Sequence, residues 1–191
     1  MKKYIKYIVI GVILVALLVG IFLHLSKKPT SGGEENITLT EADKLIAKDL
    51  DLNYPKSPRA VVKYYSEILE CMVNDKVEEE DLKKLMEQAR KLYDEDLLAN
   101  NEEDDQWKRM VSELTGYDSA DIYISKWEIS TSSDVEYAEM DGREWASVHA
   151  VYTLKEFDSA TYNNTSEVYL LRKDSEGKWK IYGWQLDENQ G

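Results

Sequence analysis

Few side chains in this sequence could do chemistry unaided. His149 is the only histidine outside a long apolar run near the N-terminus, and Cys71 is the only cysteine of the chain. A histidine titrates near neutral pH and can act as a general base, but a lone one on a strand is more often a packed residue. We therefore assign no catalytic residue. With two histidines and one cysteine, a zinc site built from His and Cys ligands lacks its donors. No Gly-x-Ser-x-Gly, His-Glu-x-x-His, Cys-x-x-Cys, phosphate-binding loop or dinucleotide fingerprint occurs either. No metal and no cofactor is expected.

Carboxylates are the abundant reactive groups, 37 Asp and Glu against 24 Lys and Arg. Glu78, Glu79, Glu80 and Asp81 form one run and Glu102, Glu103, Asp104 and Asp105 another. Calcium binding would need an Asp-x-Asp/Asn-x-Asp/Asn-Gly loop, which is missing. Each run instead stands where a helix should start, and acids in a first turn oppose the positive end of the helix dipole. Five of the basic residues precede Pro29, which leaves 19 against all 37 acids in the remainder. Such a body is repelled by phosphate backbones and anionic headgroups, so nucleic acid is excluded as a partner.

The elements that must position these groups fall into two blocks. Thr40 followed by Asp43 resembles a capping box, and Leu45, Ile46 and Leu50 continue it as a short lead-in helix. Ser57 can cap and Pro58 sits at a first helical position, with Val61, Tyr65, Ile68 and Met72 spaced as one helical face over 58–74. A second helix opens at Glu78 with Leu82, Leu85, Met86, Ala89, Leu92 and Tyr93 inward. A third carries Trp107, Met110, Val111 and Leu114, and Gly116 is placed to end it.

Beyond Gly116 the pattern alternates. Ile122 to Thr131 reads as a strand whose apolar side shifts between Ile124 and Trp127, predicting a bulge near Ser125. A short strand over 135–140 precedes Asp141-Gly142, a two-residue hairpin signal, and then a long strand over 143–156. Strands over 167–172 and 178–186 close the chain around Asp174 to Gly177. Helices first and strands after predict an α+β domain, with about three to four helices packed on an antiparallel sheet.

The N-terminal stretch 7–25 contains no charged residue and fourteen Leu, Ile, Val or Phe among its nineteen residues. As a helix it reaches roughly 28 Å, a bilayer's hydrocarbon thickness, and its insertion is favourable by about 4 to 8 kcal/mol. We read residues 1–28 as a single-pass signal anchor with flanking lysines, 29–38 as a flexible linker, and 39–191 as the folded domain. Lys2, Lys3 and Lys6 before the run outnumber Lys27 and Lys28 after it, which sets the N-terminus in the cytoplasm and the domain outside the cell membrane. Cleavage as a signal peptide is the competing reading. It is disfavoured by the length of the run and by the lack of a small-x-small site.

Ser57-Pro58-Arg59-Ala60-Val61-Val62-Lys63-Tyr64-Tyr65, the helices after it, and a sheet closing on Gly177-Lys178-Trp179-Lys180-Ile181 together resemble the nuclear transport factor 2-like superfamily, from about Asn53 onward. With the anchor included, the chain is similar to small membrane-anchored members in Gram-positive bacteria. The resemblance implies a cone of helices wrapped on a curved sheet with a pocket at its open end. Tyr65, Leu69, Val148, Ala150, Tyr152, Trp179 and Ile181 would then face pocket or core. Trp145, His149, Val151, Tyr182 and Trp184 would lie on the convex side, an aromatic face that a second copy, an envelope protein, or another part of the chain covers. Enzymes of that superfamily use pocket Asp, Tyr, His or Arg sets that match no positions here. The expectation is a non-catalytic, extracytoplasmic binding or assembly module. The alternative is a small-molecule isomerase, dehydratase or hydrolase-like enzyme using the cone pocket.

Overall fold

Thr40 starts the folded region by closing a reciprocal cap: its hydroxyl accepts the Asp43 N–H at 3.0 Å while the Asp43 carboxylate accepts the Thr40 N–H at 2.9 Å. The computed structural model describes residues 39–187. The expected membrane anchor and linker lie outside those residues. Among the described residues no helix is long and apolar enough to cross a membrane.

Helix α1 (Glu41–Ile46) follows that cap, and α2 (Pro58–Asn74) starts where Ser57 Oγ accepts the Ala60 N–H at 3.2 Å with Pro58 in the first turn. Val61, Val62, Tyr65, Ile68 and Met72 on α2 are buried, each large apolar one worth about 1.5–3 kcal/mol of transfer free energy. Helix α3 (Glu79–Arg90) has no side-chain cap and depends on its three first-turn acids and on Leu85, Met86 and Ala89, which pack inward. Gln88 Nε2 donates to the carbonyls of Ile46 (2.6 Å) and Lys48 (3.1 Å) and ties α3 to the end of α1. A helix not expected from the pattern, α4 (Glu95–Ala99), is capped by Asp94. Helix α5 (Glu103–Ser119) runs through Gly116 instead of ending there. One helical glycine costs only about 1 kcal/mol, and Leu114 and Tyr117 on either side of it line a cavity wall.

The strands are β1 (Ile122–Ile129), β2 (Glu136–Met140), β3 (Arg143–Glu156), β4 (Tyr162–Lys173) and β5 (Trp179–Leu186). All pairings are antiparallel, in the order β1-β3-β4-β5, with β2 on β3 beside β1. The fold is α+β, five helices among the described residues and one curved antiparallel sheet. Asp141 and Gly142 take φ of 54° and 71° at the β2–β3 turn, the left-handed pair that a tight hairpin needs. Outside β5, the Ile181 N–H donates to the Leu92 carbonyl and the Asp94 N–H to the Ile181 carbonyl, both at 2.8 Å.

Two bulges set which side chains reach the helices. Ile124 pairs with Leu154 but Lys126 with Thr153, so Ser125 is the extra residue in β1, at the position the sequence pattern predicts. Leu170 pairs with Gly183 but Leu171 with Ile181, so Tyr182 is an extra residue in β5 that the pattern did not reveal. As a result Ile181 and Trp184, three apart, lie on the same side of the sheet as Leu171 and Tyr169. The core between helices and sheet is closed by Val61, Ile68, Leu85, Leu92, Val148, Leu171 and Ile181, all fully buried.

Candidate functional site

Between α2, α5 and one end of the sheet lies a cavity of about 200 Å³. Helix α2 contributes Tyr65, Leu69 and Met72, α5 contributes Met110, Glu113, Leu114 and Tyr117, and the sheet contributes Tyr152, Thr165, Glu167, Tyr169 and Trp184. An adjoining cavity of about 160 Å³ shares Tyr65, Leu69, Met110, Glu113 and Trp184 and extends to Tyr93, Gln106 and Arg109. Four rings build the wall between them. Tyr65 lies 5.8 Å from Tyr169, 5.9 Å from Tyr93 and 5.6 Å from Trp184 between centroids, and Trp184 stacks on Tyr169 at 5.9 Å and 27°. Such offset and edge contacts add about 0.5–1.5 kcal/mol per pair beyond their burial.

Behind the rings runs a chain of hydroxyls. Ser66 Oγ donates to the Val62 carbonyl at 3.0 Å and meets Tyr152 Oη at 2.7 Å. Tyr152 Oη meets Tyr169 Oη at 3.0 Å, and Tyr169 Oη donates to Glu167 Oε2 at 2.6 Å. Burial pushes the Tyr152 phenol up to about 12 and the phenols of Tyr65 and Tyr169 well above their ordinary value. Burial also raises Glu167, against the lowering effect of the Tyr169 hydrogen bond. Tyr117 is raised by burial and then by the charges of Glu113 and Glu167, which places both carboxylates in the electrostatic reach of one ring.

Of the residues expected at the pocket, Tyr65, Leu69 and Tyr152 line the cavity. Val148, Ala150 and Ile181 are buried on the same side of the sheet within the core. Trp179 is buried further along β5, edge-on to Tyr137 at 5.9 Å, with its carbonyl accepting the Tyr54 hydroxyl. The residues expected on the convex side divide. Trp145 and Tyr182 meet edge to face at 5.0 Å, with the Arg172 guanidinium 5.3 and 4.9 Å from their ring centres. Val151 is half-buried, and His149 Nδ1 lies 3.1 Å from Asp187 Oδ2 on that same side, away from the cavity. Trp184 lines the cavity instead, because the bulge at Tyr182 turns it across the sheet.

Glu167, Tyr169, Glu113 and Ser66 were missed by the sequence pattern. One signal was available for the first two: Glu167, Tyr169 and Leu171 alternate on one side of β4, and an acid in the apolar phase of a strand marks a polar site in a core. Below α4, Arg172 Nε donates to Asp94 Oδ2 at 3.0 Å, its Nη2 to Asp94 Oδ1, and Nη2 also to Asp96 Oδ2 at 2.8 Å. This buried pair braces the β5 edge and lines neither of the two cavities. Cys71, at the floor of a cleft along α1 and α2, has its thiol pushed up to about 12 by burial and then by Asp75, so it is not a nucleophile. Among the described residues no three or more His, Cys, Asp or Glu side chains gather to hold a metal.

Fold and cavity together define an α+β domain whose helices cover one side of a curved antiparallel sheet and leave an aromatic-walled pocket at its end. A family model described as "Domain of unknown function (DUF6715)" matches residues 1–184, and the chain belongs to that family. No curated protein sequence matches it.

Proposed function

We propose that this chain is a non-catalytic binding module, tethered through residues 7–25 to the outer side of the cell membrane, whose helix–sheet cavity takes a small ligand of the cell envelope. The observation that carries the reading is the cavity itself, walled by Tyr65, Tyr169 and Trp184 and backed by a satisfied hydroxyl chain. Preformed apolar pockets with a few placed polar groups are where small molecules bind. The order of helices and sheet supports a nuclear transport factor 2-like relationship, and the lysine asymmetry around the apolar run supports the outward orientation.

A specific observation favours the enzyme reading as well: the hydroxyl chain ends on Glu167, a carboxyl raised by burial and so moved toward the range of a general base. The phenols beside it are raised as well, from an ordinary value already above neutrality, and so move away from useful acid–base exchange near neutral pH. His149 stands on the other side of the sheet. The groups therefore serve packing and recognition better than proton transfer.

The test has two parts. Protease added to intact cells should digest the domain, and protection until the cells are lysed would overturn the outward tether. Saturation-transfer NMR on the full chain with 2-phenylethanol should show binding that Leu69→Trp, which fills the cavity, abolishes. Binding that survives Leu69→Trp would place the ligand elsewhere and overturn the pocket.

A further inference from the structure

Resting on the reading of the cavity as a ligand pocket, we infer that its ligand is an organic cation, an amine or quaternary ammonium carried on an apolar body about one ring in size. Two carboxylates, Glu113 and Glu167, line the cavity together with five aromatic side chains, and no Lys, Arg or His lines it. Some acids on α2 and α5 have cations or ring donors. Glu67 pairs with Lys63 and Asp105 with Lys108, and Glu70 accepts the Trp127 indole N–H at 2.6 Å. Among the described residues neither Glu113 nor Glu167 makes an ion pair, and the donor on Glu167 is a neutral phenol. The guanidinium of Arg109 lines only the adjoining cavity, where it donates to Asn101 Oδ1 at 2.8 Å.

Glu167, half-buried against the apolar wall with no cation, is costly to hold as a carboxylate; a ligand that brings the cation relieves that cost, and the solvent-exposed Glu113 adds a second negative charge to the same lining. The ring faces add to this. An ammonium within about 6 Å of a Trp or Tyr centroid is attracted by the ring quadrupole, and Trp184 with its neighbours Tyr65 and Tyr169 offers such faces beside the two acids. A metal ion would meet the same two carboxylates but would also be set against Leu69, Met72, Met110 and Leu114, which give it no oxygen ligands. An anion is repelled by both acids. A single-ring body fits about 200 Å³, and a polycyclic one does not.

The test uses the full chain in phosphatidylcholine nanodiscs with three probes of similar shape: benzyltrimethylammonium, 2-phenylethanol and 3-phenylpropanoate. Titration calorimetry should give the cation a Kd at least tenfold below that of the alcohol, with the carboxylate weakest. In the Glu113→Gln, Glu167→Gln double variant that advantage should shrink to less than threefold while the alcohol binds as before. Glu113 is solvent-exposed, so Glu113→Gln alone keeps the test interpretable if the double variant fails to fold, and it should cost the cation about threefold. An alcohol that binds as tightly as the cation, or a cation preference that survives removal of both acids, overturns the inference and leaves the pocket reading standing. Failure of all three probes overturns both.

Discussion

Replacing Asp94 by alanine is expected to be among the most damaging single changes outside the apolar core. The carboxylate is 2% exposed in its side chain and the guanidinium it meets 10%. Breaking a buried pair by removing one partner costs about 3–5 kcal/mol, because the other charge is left uncompensated. Asp94 also caps α4 by accepting the Asp96 N–H at 3.0 Å, a loss of about 1 kcal/mol. Against this, Arg172 keeps the exposed Asp96 carboxylate at 2.8 Å, worth at most about 1 kcal/mol. The balance is a destabilisation of about 4 kcal/mol, or roughly 8–16 °C in Tm for a domain of this size. Urea unfolding of the full chain in nonionic detergent, followed by fluorescence of its five tryptophans, measures it. Adding Arg172→Met to the variant should recover about half of the loss, because the orphaned charge goes and the methionine still packs between Trp145 and Tyr182. The argument is refuted if Asp94→Ala costs under about 1 kcal/mol, or if the double variant is less stable than the single one.

Two further outcomes are expected. Burial raises the Glu167 carboxyl, so its folded-state pKa exceeds its unfolded one. The associated stability is fully present below the unfolded pKa and is lost as pH climbs through the folded value. Glu167→Gln should therefore match the parent chain in Tm near pH 4 and exceed it increasingly toward pH 7, and a difference independent of pH would refute this. Gly142→Ala forces a side chain into the left-handed turn at φ 71° and should cost about 1 kcal/mol. Steric crowding cannot be the cause, since a Cβ there would meet nothing within 4 Å, so a normal Tm would show the hairpin tolerates strain at this position.

Much of the architecture was legible because single-residue chemistry announced it. The Thr40–Asp43 cap, Ser57-Pro58 and Asp141-Gly142 mark starts and turns that the structure places where the residues put them. The bulge at Ser125 was visible because the apolar side changes within the strand itself. Three features were not. Helix α4 has five residues and takes its stability from Asp94 and Arg172, a contact spanning 78 positions that no local window contains. Gly116 is a stop signal only when nothing else favours the helix, and here the helix continues to Ser119 with Leu114 and Tyr117 lining the cavity on either side of the glycine. Trp184 was assigned to the wrong side because Tyr182 and Trp184 alternate plausibly with Lys178 and Lys180, and only the pairing with Leu170 and Leu171 shows the extra residue.

That extra residue makes the last strand sensitive to length in a way its composition does not show. A strand assigns side chains to sides by odd and even count, and one surplus position inverts the count for everything after it. Substituting Tyr182 leaves the count alone and alters only the ring that faces Trp145. Because Tyr182 is the surplus residue, removing it would restore plain alternation: Ile181 and Trp184 would stay on the cavity side, two positions apart and opposite Leu171 and Tyr169 as now, and the ring that faces Trp145 would be lost. The two jobs of this sheet, holding the helices and lining the cavity, thus depend on the surplus residue being absorbed between Ile181 and Trp184 and not beyond them.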